Sequence, residues 1–375
     1  MTQDQIERLL VLSPNWLGDA VMALPALADL RRHFADARLI VAARKGIAGL
    51  FAMAPMVDEV ITLEWPGRMW ARRSRHADIA TLGALRADAG ILLPNSFASA
   101  WLVRRAGVRE RWGYSTDGRR WLLTRAVHTP AIRMHQAEYY RRLVRNLGVD
   151  NGPMDPALAV PVQSIESARQ LLRPAGIDLD SRFVVMAPGA AYGGAKRWPA
   201  EHFAEVATRL VREHQLHCVL VGSSADAVTT RWVRTLVPGD ARAHVVDLAG
   251  ATALDVLAGV MSLAAGCLSN DSGAMHLAGA VGVPLFALFG PTRERETAPL
   301  SRPGRHVEVL INHVWCRPCM LRECPLDHRC MTGLSPERVL SAMTGWMRSR
   351  DSAPDLRAAN HLHSADHDSI RGPAA

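Results

Sequence analysis

The sequence predicts an α/β protein built of two doubly wound domains that face each other across a cleft. Three observations carry that prediction. Short apolar runs alternate with segments at helical spacing through both halves of the chain. Several of these runs end in a polar or Gly-rich loop that leads into a helix, the way open parallel sheets present ligand groups at the carboxyl ends of their strands. The alternation breaks from Gly148 to Pro161, where Gly, Asp and Pro crowd a short span and read as a linker. A chain of 375 residues also exceeds one ordinary hydrophobic core. The expected organisation is a domain over 1–155, a second over 156–350, and a tail over 351–375 whose Ala, His, Asp and Ser lack apolar periodicity and predict disorder.

In the first half, Leu9 to Ser13 predicts a strand, Pro14 to Asp19 a loop, and Ala20 to Phe34 a helix. Asp19 falls in or just before the first helical turn, where it reads either as an N-cap or as a group facing the cleft. Arg38 to Ala43 and Glu59 to Leu63 predict further strands. Ala89 to Leu93 is a buried strand that delivers Pro94, Asn95, Ser96 and Phe97 before the helix Ala98 to Arg105. Asp19, Asn95 and Ser96 are therefore candidates to line one crevice. The run Arg109 to Tyr114 and an amphipathic helix over Met134 to Leu147 complete this half.

In the second half, the strand Arg182 to Ala187 leads into the loop Pro188 to Pro199, which carries Gly, Lys196 and Arg197, and then into the helix Glu201 to Glu213. The strand His217 to Val221 ends in Gly222-Ser223-Ser224 with Asp226 close behind. A helix around Arg231, a strand near His244 to Val246 and a helix over Ala253 to Leu263 follow. The stretch Ser269-Asn270-Asp271-Ser272-Gly273-Ala274-Met275-His276 then reads as a strand end, a tight polar loop and the start of a helix rich in small residues. A buried strand closed by Gly290-Pro291 comes after it. Asn270, Asp271 and Ser272 are N-cap types, so first-turn N–H groups are left without intrahelical acceptors. Gly273 admits a ligand close to the backbone, and the helix dipole favours negative charge, so a phosphate or diphosphate is the natural occupant. The same pattern also fits a plain capped helix after a strand.

The composition, 49% apolar and 21% charged, is that of a globular chain. No run of 18 apolar residues occurs, and Met1 to Leu10 has neither a basic start nor an apolar core, so neither a spanning helix nor a secretory signal is expected. Six cysteines in such a chain read as reduced thiols of a cytoplasmic protein. The charge is uneven: residues 1–150 carry 22 Lys+Arg against 14 Asp+Glu, and the remainder carries 22 against 22, so the whole net charge of +8 lies in the first half. That half is expected to meet something acidic, whether an anionic membrane, a phosphorylated substrate or nucleic acid. Nucleic acid is disfavoured, because the basic residues are not interleaved with stacking aromatics and no binding motif is present. Only Lys45 and Lys196 among the 44 basic residues are lysines, which singles out Lys196 in its Gly-rich loop.

The Pro188 to Pro199 loop is not a Walker A loop, since Ala195 intervenes after Gly194 and Arg197 follows Lys196. No Gly-x-Gly-x-x-Gly fingerprint occurs, which removes the main support for a nicotinamide or flavin enzyme and leaves nucleotide-sugar chemistry. Cys316, Cys319, Cys324 and Cys330, with His313 and His328 beside them, supply enough ligands for a zinc ion, yet they form one compact cluster rather than two separated pairs, so reduced loop thiols remain the alternative. Cys218 and Cys267 read as core.

Five motifs in order, Pro14 to Asp19, Leu93 to Phe97, Ala187 through Pro199, Asn270 to His276 and the cysteine cluster, resemble glycosyltransferase family 9 with the GT-B fold, in particular its ADP-heptose:lipopolysaccharide heptosyltransferases of type II. The resemblance runs from about Leu9 to about Leu340. It implies an inverting transfer of heptose from ADP-L-glycero-D-manno-heptose to the first heptose of the inner core, heptosyl-Kdo2-lipid A, at the cytoplasmic face of the inner membrane. It also implies an acceptor site in the N-terminal domain and a donor site in the C-terminal one. On this match Asp19 is the catalytic base; Lys196, Asp271, Ser272, Gly273 and His276 bind the donor; Asn95 and Ser96 bind the acceptor; and no cofactor or metal is called for. One departure is Ala98, where relatives often carry Lys, so an acceptor phosphate contact is expected to be lost or moved to an Arg such as Arg104 or Arg105. The helix start at Asp19 is expected to favour the ionised carboxylate and so to limit its strength as a base. A heptosyltransferase of another type, or a nucleotide-sugar epimerase on the same architecture, is the alternative reading.

Overall fold

The chain's structure, a computed structural model, describes residues 6–64, 72–178 and 180–351; past Asp351 the expected tail lies outside the described residues. The first half runs β1 (Arg8–Leu12), α1 (Leu17–His33), β2 (Arg38–Arg44), α2 (Lys45–Ala52), β3 (Glu59–Leu63), α3 (Arg72–Ala84), β4 (Ala89–Leu92), α4 (Phe97–Arg105), β5 (Glu110–Tyr114), β6 (Arg125–Val127) and α5 (Gln136–Arg145). After an irregular stretch comes α6 (Val162–Leu172). The second half then follows as β7 (Phe183–Ala187), α7 (Ala200–His214), β8 (His217–Leu220), α8 (Ala227–Leu236), α9 (Gly239–Arg242), β9 (Val245–Asp247), α10 (Leu254–Leu263), β10 (Gly266–Asn270), α11 (Gly273–Val281), β11 (Leu285–Phe289), α12 (Glu294–Thr297), β12 (Val307–Ile311), α13 (Arg329–Thr332) and α14 (Pro336–Asp351).

Each half folds into one fully parallel six-stranded sheet. The orders are β3-β2-β1-β4-β5-β6 and β12-β11-β10-β7-β8-β9, the same winding in both. Helices cover both faces of each sheet, so the central strands are apolar throughout rather than alternating. Val11 lies opposite Val41 on one side and Ile91 on the other, and all three are fully buried. In the second sheet Ser269 lies opposite Ala187 and Asn270 opposite Leu288. Strand order reverses between β1 and β4 and between β7 and β10, and loops at such points open a crevice at the carboxyl ends of the strands. The loop after β1 carries Asp19, and the loop after β10 carries Asp271.

Helix α1 starts at Leu17, with Trp16 in extended conformation as its N-cap and no side chain capping it. The N-cap reading of Asp19 is therefore corrected: Asp19 is the third helical residue and its carboxylate is released from that duty. Almost every side of α1 from Ala20 to Leu27 is buried, because it packs into one core with the first sheet and against α5, α2 and, across the cleft, α11. Short elements escaped the sequence pattern, among them the edge strand β6, with an exposed arginine among its three residues, and the eight-residue apolar helix α2.

A buried ion pair ties α1 to α5 and to the irregular stretch beyond. The Arg141 Nε donates to Asp29 Oδ2 at 3.0 Å, and Gly152 N donates to Asp29 Oδ1 at 2.9 Å, with Asp29 wholly buried. Arg141 also donates to Gly152 O, and Arg32 pairs with the same carboxylate. Removing one member of such a pair leaves the other charged and unpaired in the interior. Asp29→Ala is accordingly expected to cost about 3–5 kcal/mol, read as a lower urea midpoint than wild type.

Candidate functional site

The two halves enclose a cavity of about 870 Å³ at the carboxyl ends of both sheets. First-turn residues of α1, α2, α10 and α11 lie on its wall, and none of these four helices is capped by the side chain of its N-cap residue. Partial positive charge at each terminus makes this wall suited to an anion. The β7 loop contributes Gly189 to Tyr192 and Lys196, and the end of β8 contributes Gly222, Ser223 and Asp226.

Of the eight residues singled out by sequence, six meet in or directly around this cavity. Lys196 ends a single 3-10 turn and places Nζ 2.6 Å from Asp271 Oδ2 and 4.7 Å from the centre of the Tyr192 ring. Asp271 is buried at the end of β10 and also accepts from Thr292 Oγ1 at 2.6 Å. Ser272 is the N-cap of α11, its hydroxyl 3.3 Å from Ser269 Oγ, and Gly273 begins the helix. His276, one turn in, is buried with Nδ1 unpartnered among the described residues. Asp19 faces them from α1.

Close packing makes this meeting possible. A Cβ at Gly18 would stand 2.6 Å from His276 Cδ2, and one at Gly273 would stand 2.9 Å from Leu17 Cβ. The N-termini of α1 and α11 thus touch where each lacks a side chain.

Burial also sets the protonation states. It raises the Asp19 carboxyl to about 6, against the opposing pull of the Lys196 ammonium. The expectation that the helix start holds this group ionised and weak is therefore corrected, since desolvation outweighs the attractive charges. The carboxylate that results is ionised at pH 7 and a stronger base than an exposed aspartate. Burial pushes the His276 imidazole down to about 4, with Asp271 pulling it the other way, so it is neutral at physiological pH.

Asn95 and Ser96 lie elsewhere, which corrects the expectation of one crevice for them and Asp19. Asn95 Nδ2 donates to Tyr139 OH at 2.9 Å. Ser96 caps α4, its Oγ accepting from Ser99 N at 3.3 Å, and lines a separate cavity of about 50 Å³ together with Asn15, Arg44 and Ala98. Arg104 and Arg105, the proposed substitutes for a Lys at 98, sit at the opposite end of α4 over the rings of Trp121 and Trp101, at 5.4 and 5.8 Å. Arg44 is the cation beside Ala98.

Two supports were not legible in the sequence. The buried Arg119 holds the Asn95–Ser96 loop by donating to Pro94 O, Ser96 O and Ser99 Oγ, and its burial lowers the guanidinium to about 10. The cysteine-rich segment braces the Lys196 loop. Ala195 N donates to Arg322 O at 2.9 Å, Gly194 N to Glu323 Oε1 at 3.0 Å, His328 Nε2 to Ala195 O at 2.7 Å, and Tyr192 OH to Met320 O at 2.8 Å. Among the described residues no group of three or more His, Cys, Asp or Glu is arranged to hold a metal. All six cysteines are free thiols. Cys218 and Cys267 are core, each pushed up to about 12 by burial.

A sequence model of the family described as glycosyltransferase family 9 (heptosyltransferase) matches residues 75–329. The chain is 28% identical over 351 residues to lipopolysaccharide heptosyltransferase 2 of Escherichia coli strain K12, spanning 92% of this chain and 100% of that protein. It is 28% identical over 308 residues to lipooligosaccharide heptosyltransferase 2 of Haemophilus influenzae, spanning 80% of this chain and 88% of the other. The solved structure of E. coli ADP-heptose lps heptosyltransferase II superposes with a TM-score of 0.77 at 27% identity, covering 92% of this chain and 100% of that one.

The Gly18 contact yields a test. Alanine favours a helix by about 1 kcal/mol over glycine, but the new methyl would stand 2.6 Å from the buried His276 ring, and overpacking costs about 1–3 kcal/mol. Gly18→Ala is expected to lower the melting temperature; an unchanged or higher value would show that the seam between α1 and α11 can yield.

Proposed function

The chain belongs to glycosyltransferase family 9, and from that premise we propose that it moves heptose from ADP-L-glycero-D-manno-heptose to the first heptose of the lipopolysaccharide inner core, on heptosyl-Kdo2-lipid A, with inversion. One observation carries the reading: helix N-termini from both halves make a cavity wall suited to an anion, and the half-buried Asp19 carboxylate, raised to about 6, faces the same cavity. In this reading the 156–350 half holds the donor and the 1–155 half the acceptor. The acceptor hydroxyl attacks the anomeric carbon as the bond to the diphosphate breaks, Asp19 takes the hydroxyl proton, and ADP leaves. Lys196, the Ser272–Gly273 helix start and neutral His276 hold the diphosphate end, stabilising charge where it develops. Asp271 orients the Lys196 ammonium. Asn95 and Ser96, outside the cavity, serve the distal part of the acceptor. Membership in a transferase family favours this reading over the epimerase alternative.

No described helix is long and apolar enough to cross a membrane. The basic half nevertheless carries a face suited to an anionic lipid surface, and we place the cytoplasmic face of the inner membrane there. Trp121 is 65% exposed beneath Arg104, and Trp101 lies beneath both Arg75 and Arg105. Indole rings settle at headgroup depth and arginines meet the phosphates.

Two measurements test the proposal. The wild type is expected to transfer heptose from ADP-heptose to the lipid acceptor, and Asp19→Asn to lose about 10²–10⁴-fold in turnover. The folded Asp19 value of about 6 stands above the ordinary 3.8, so its proton-linked stability is present below the unfolded value and lost as pH rises through 6. At pH 7 Asp19→Asn should therefore melt no lower than wild type, and wild-type turnover should fall below about pH 6; near-normal turnover in Asp19→Asn would dismiss it as the base. The second measurement is sedimentation with vesicles. Binding to phosphatidylglycerol vesicles is expected at low salt, with Trp121→Ala/Arg104→Glu weakening it about tenfold or more, whereas equal binding to neutral vesicles would exclude this face.

A further inference from the structure

Forty-two of the 44 basic residues are arginine, yet among the described residues no arginine lines the large cavity; both lysines do. Lys196 comes from the second half. Lys45, the first residue of α2, comes from the first half, and nothing in the sequence motifs assigns it a role. The helix that carries it is fixed in place, since Gly49 lies against Leu254 of α10, while a Cβ at neighbouring Gly46 would meet no atom within 4 Å. Lys45 thus stands on a fixed backbone beside open space.

The charges on the cavity wall show what such a group is for. Among the described residues the wall carries four carboxylates, on Asp19, Asp226, Asp255 and Asp271, against the two ammonium groups. A diphosphate brought among them adds further negative charge, and the exposed Lys45 offers an ammonium to meet it. Lys196 is already paired with Asp271 at 2.6 Å, so its charge is largely spent. Asp226 is satisfied by Ser223 N and Oγ, and Asp255 by Ser164 Oγ. Lys45 forms no ion pair or hydrogen bond with a described residue, which leaves it as the uncommitted cation of the wall.

We propose that Lys45 is a substrate-binding residue that meets a phosphoryl oxygen from the N-terminal half, completing with Lys196 a clamp on one anionic group from both sides of the cleft. The inference rests on the reading of this cavity as a donor site, and the donor diphosphate is the group the charge balance calls for. A phosphate on the acceptor presents the same chemistry. An ammonium suits the task better than a guanidinium, because it is a compact point charge that imposes no planar fork on a tetrahedral group.

The experiment is calorimetric titration of wild type, Lys45→Met and Lys45→Arg with ADP, adenosine and inorganic pyrophosphate, alongside acceptor KM with and without its phosphate. Lys45→Met is expected to weaken ADP and pyrophosphate about ten- to hundredfold, leave adenosine unchanged and keep the wild-type melting temperature, with Lys45→Arg in between. Unchanged ADP affinity with a raised KM only for the phosphorylated acceptor would keep the phosphoryl contact and assign it to the acceptor. Unchanged values for all of them in a folded variant would overturn the proposal. Wild type that binds pyrophosphate through Lys45 but transfers no heptose would reject the transferase reading and leave the Lys45 contact standing.

Discussion

Two helix N-termini pressed against each other set the geometry of the whole cavity. Helices α1 and α11 each begin at the point where their sheet reverses order, and they meet at Gly18 and Gly273. Asp19 is the next residue after Gly18, and Asp271 and Ser272 immediately precede Gly273. Close packing of Gly18 on the His276 ring and of Gly273 on the Leu17 side chain therefore delivers an acid to one side of the seam and an anion-binding loop to the other. Long flexible side chains play little part in that placement, which suits a reaction whose rate depends on the alignment of three centres.

The same enclosure moves two titratable groups toward neutrality from opposite directions. Asp19 rises and His276 falls because both lose water, and the charges around them only moderate the effect. Lys196 and Asp271 pair with each other, and the Thr292 hydroxyl satisfies the carboxylate further. Any anion that reaches Lys196 must share it with Asp271. The site therefore favours ligands that bring several acceptor oxygens and engage the helix N-termini at the same time.

The architecture was legible in the sequence because its central strands are buried on both faces and read as continuous apolar runs, Leu9 to Leu12 and Leu285 to Phe289 among them. The donor-side loop was legible because Asn270 to Gly273 combines cap types with glycine directly after such a run. Asp19 was found as a candidate, but its protonation was misjudged: a helix start is visible in sequence, whereas the desolvation that outweighs it arises only in the folded chain. Asn95 and Ser96 were grouped with Asp19 since all three follow neighbouring strands, and the sequence holds no sign that Tyr139 and Arg119 draw that loop aside. Lys45 left one trace, its rarity, without any local motif to give it meaning.

The bracing of the Lys196 loop by the cysteine-rich segment bears on how such a chain can change. Four hydrogen bonds join Tyr192, Gly194 and Ala195 to residues between Met320 and His328; the segment supplies two backbone carbonyls, of Met320 and Arg322, and two side chains, of Glu323 and His328, so the bonds depend on its path and on those two side chains alike. The rest of the segment is free to drift in composition, while its trace, Glu323 and His328 must be kept. Loop and brace form a single cassette separated by more than a hundred residues of chain, and a graft that transplants one without the other would deliver the right amine on an unsupported turn.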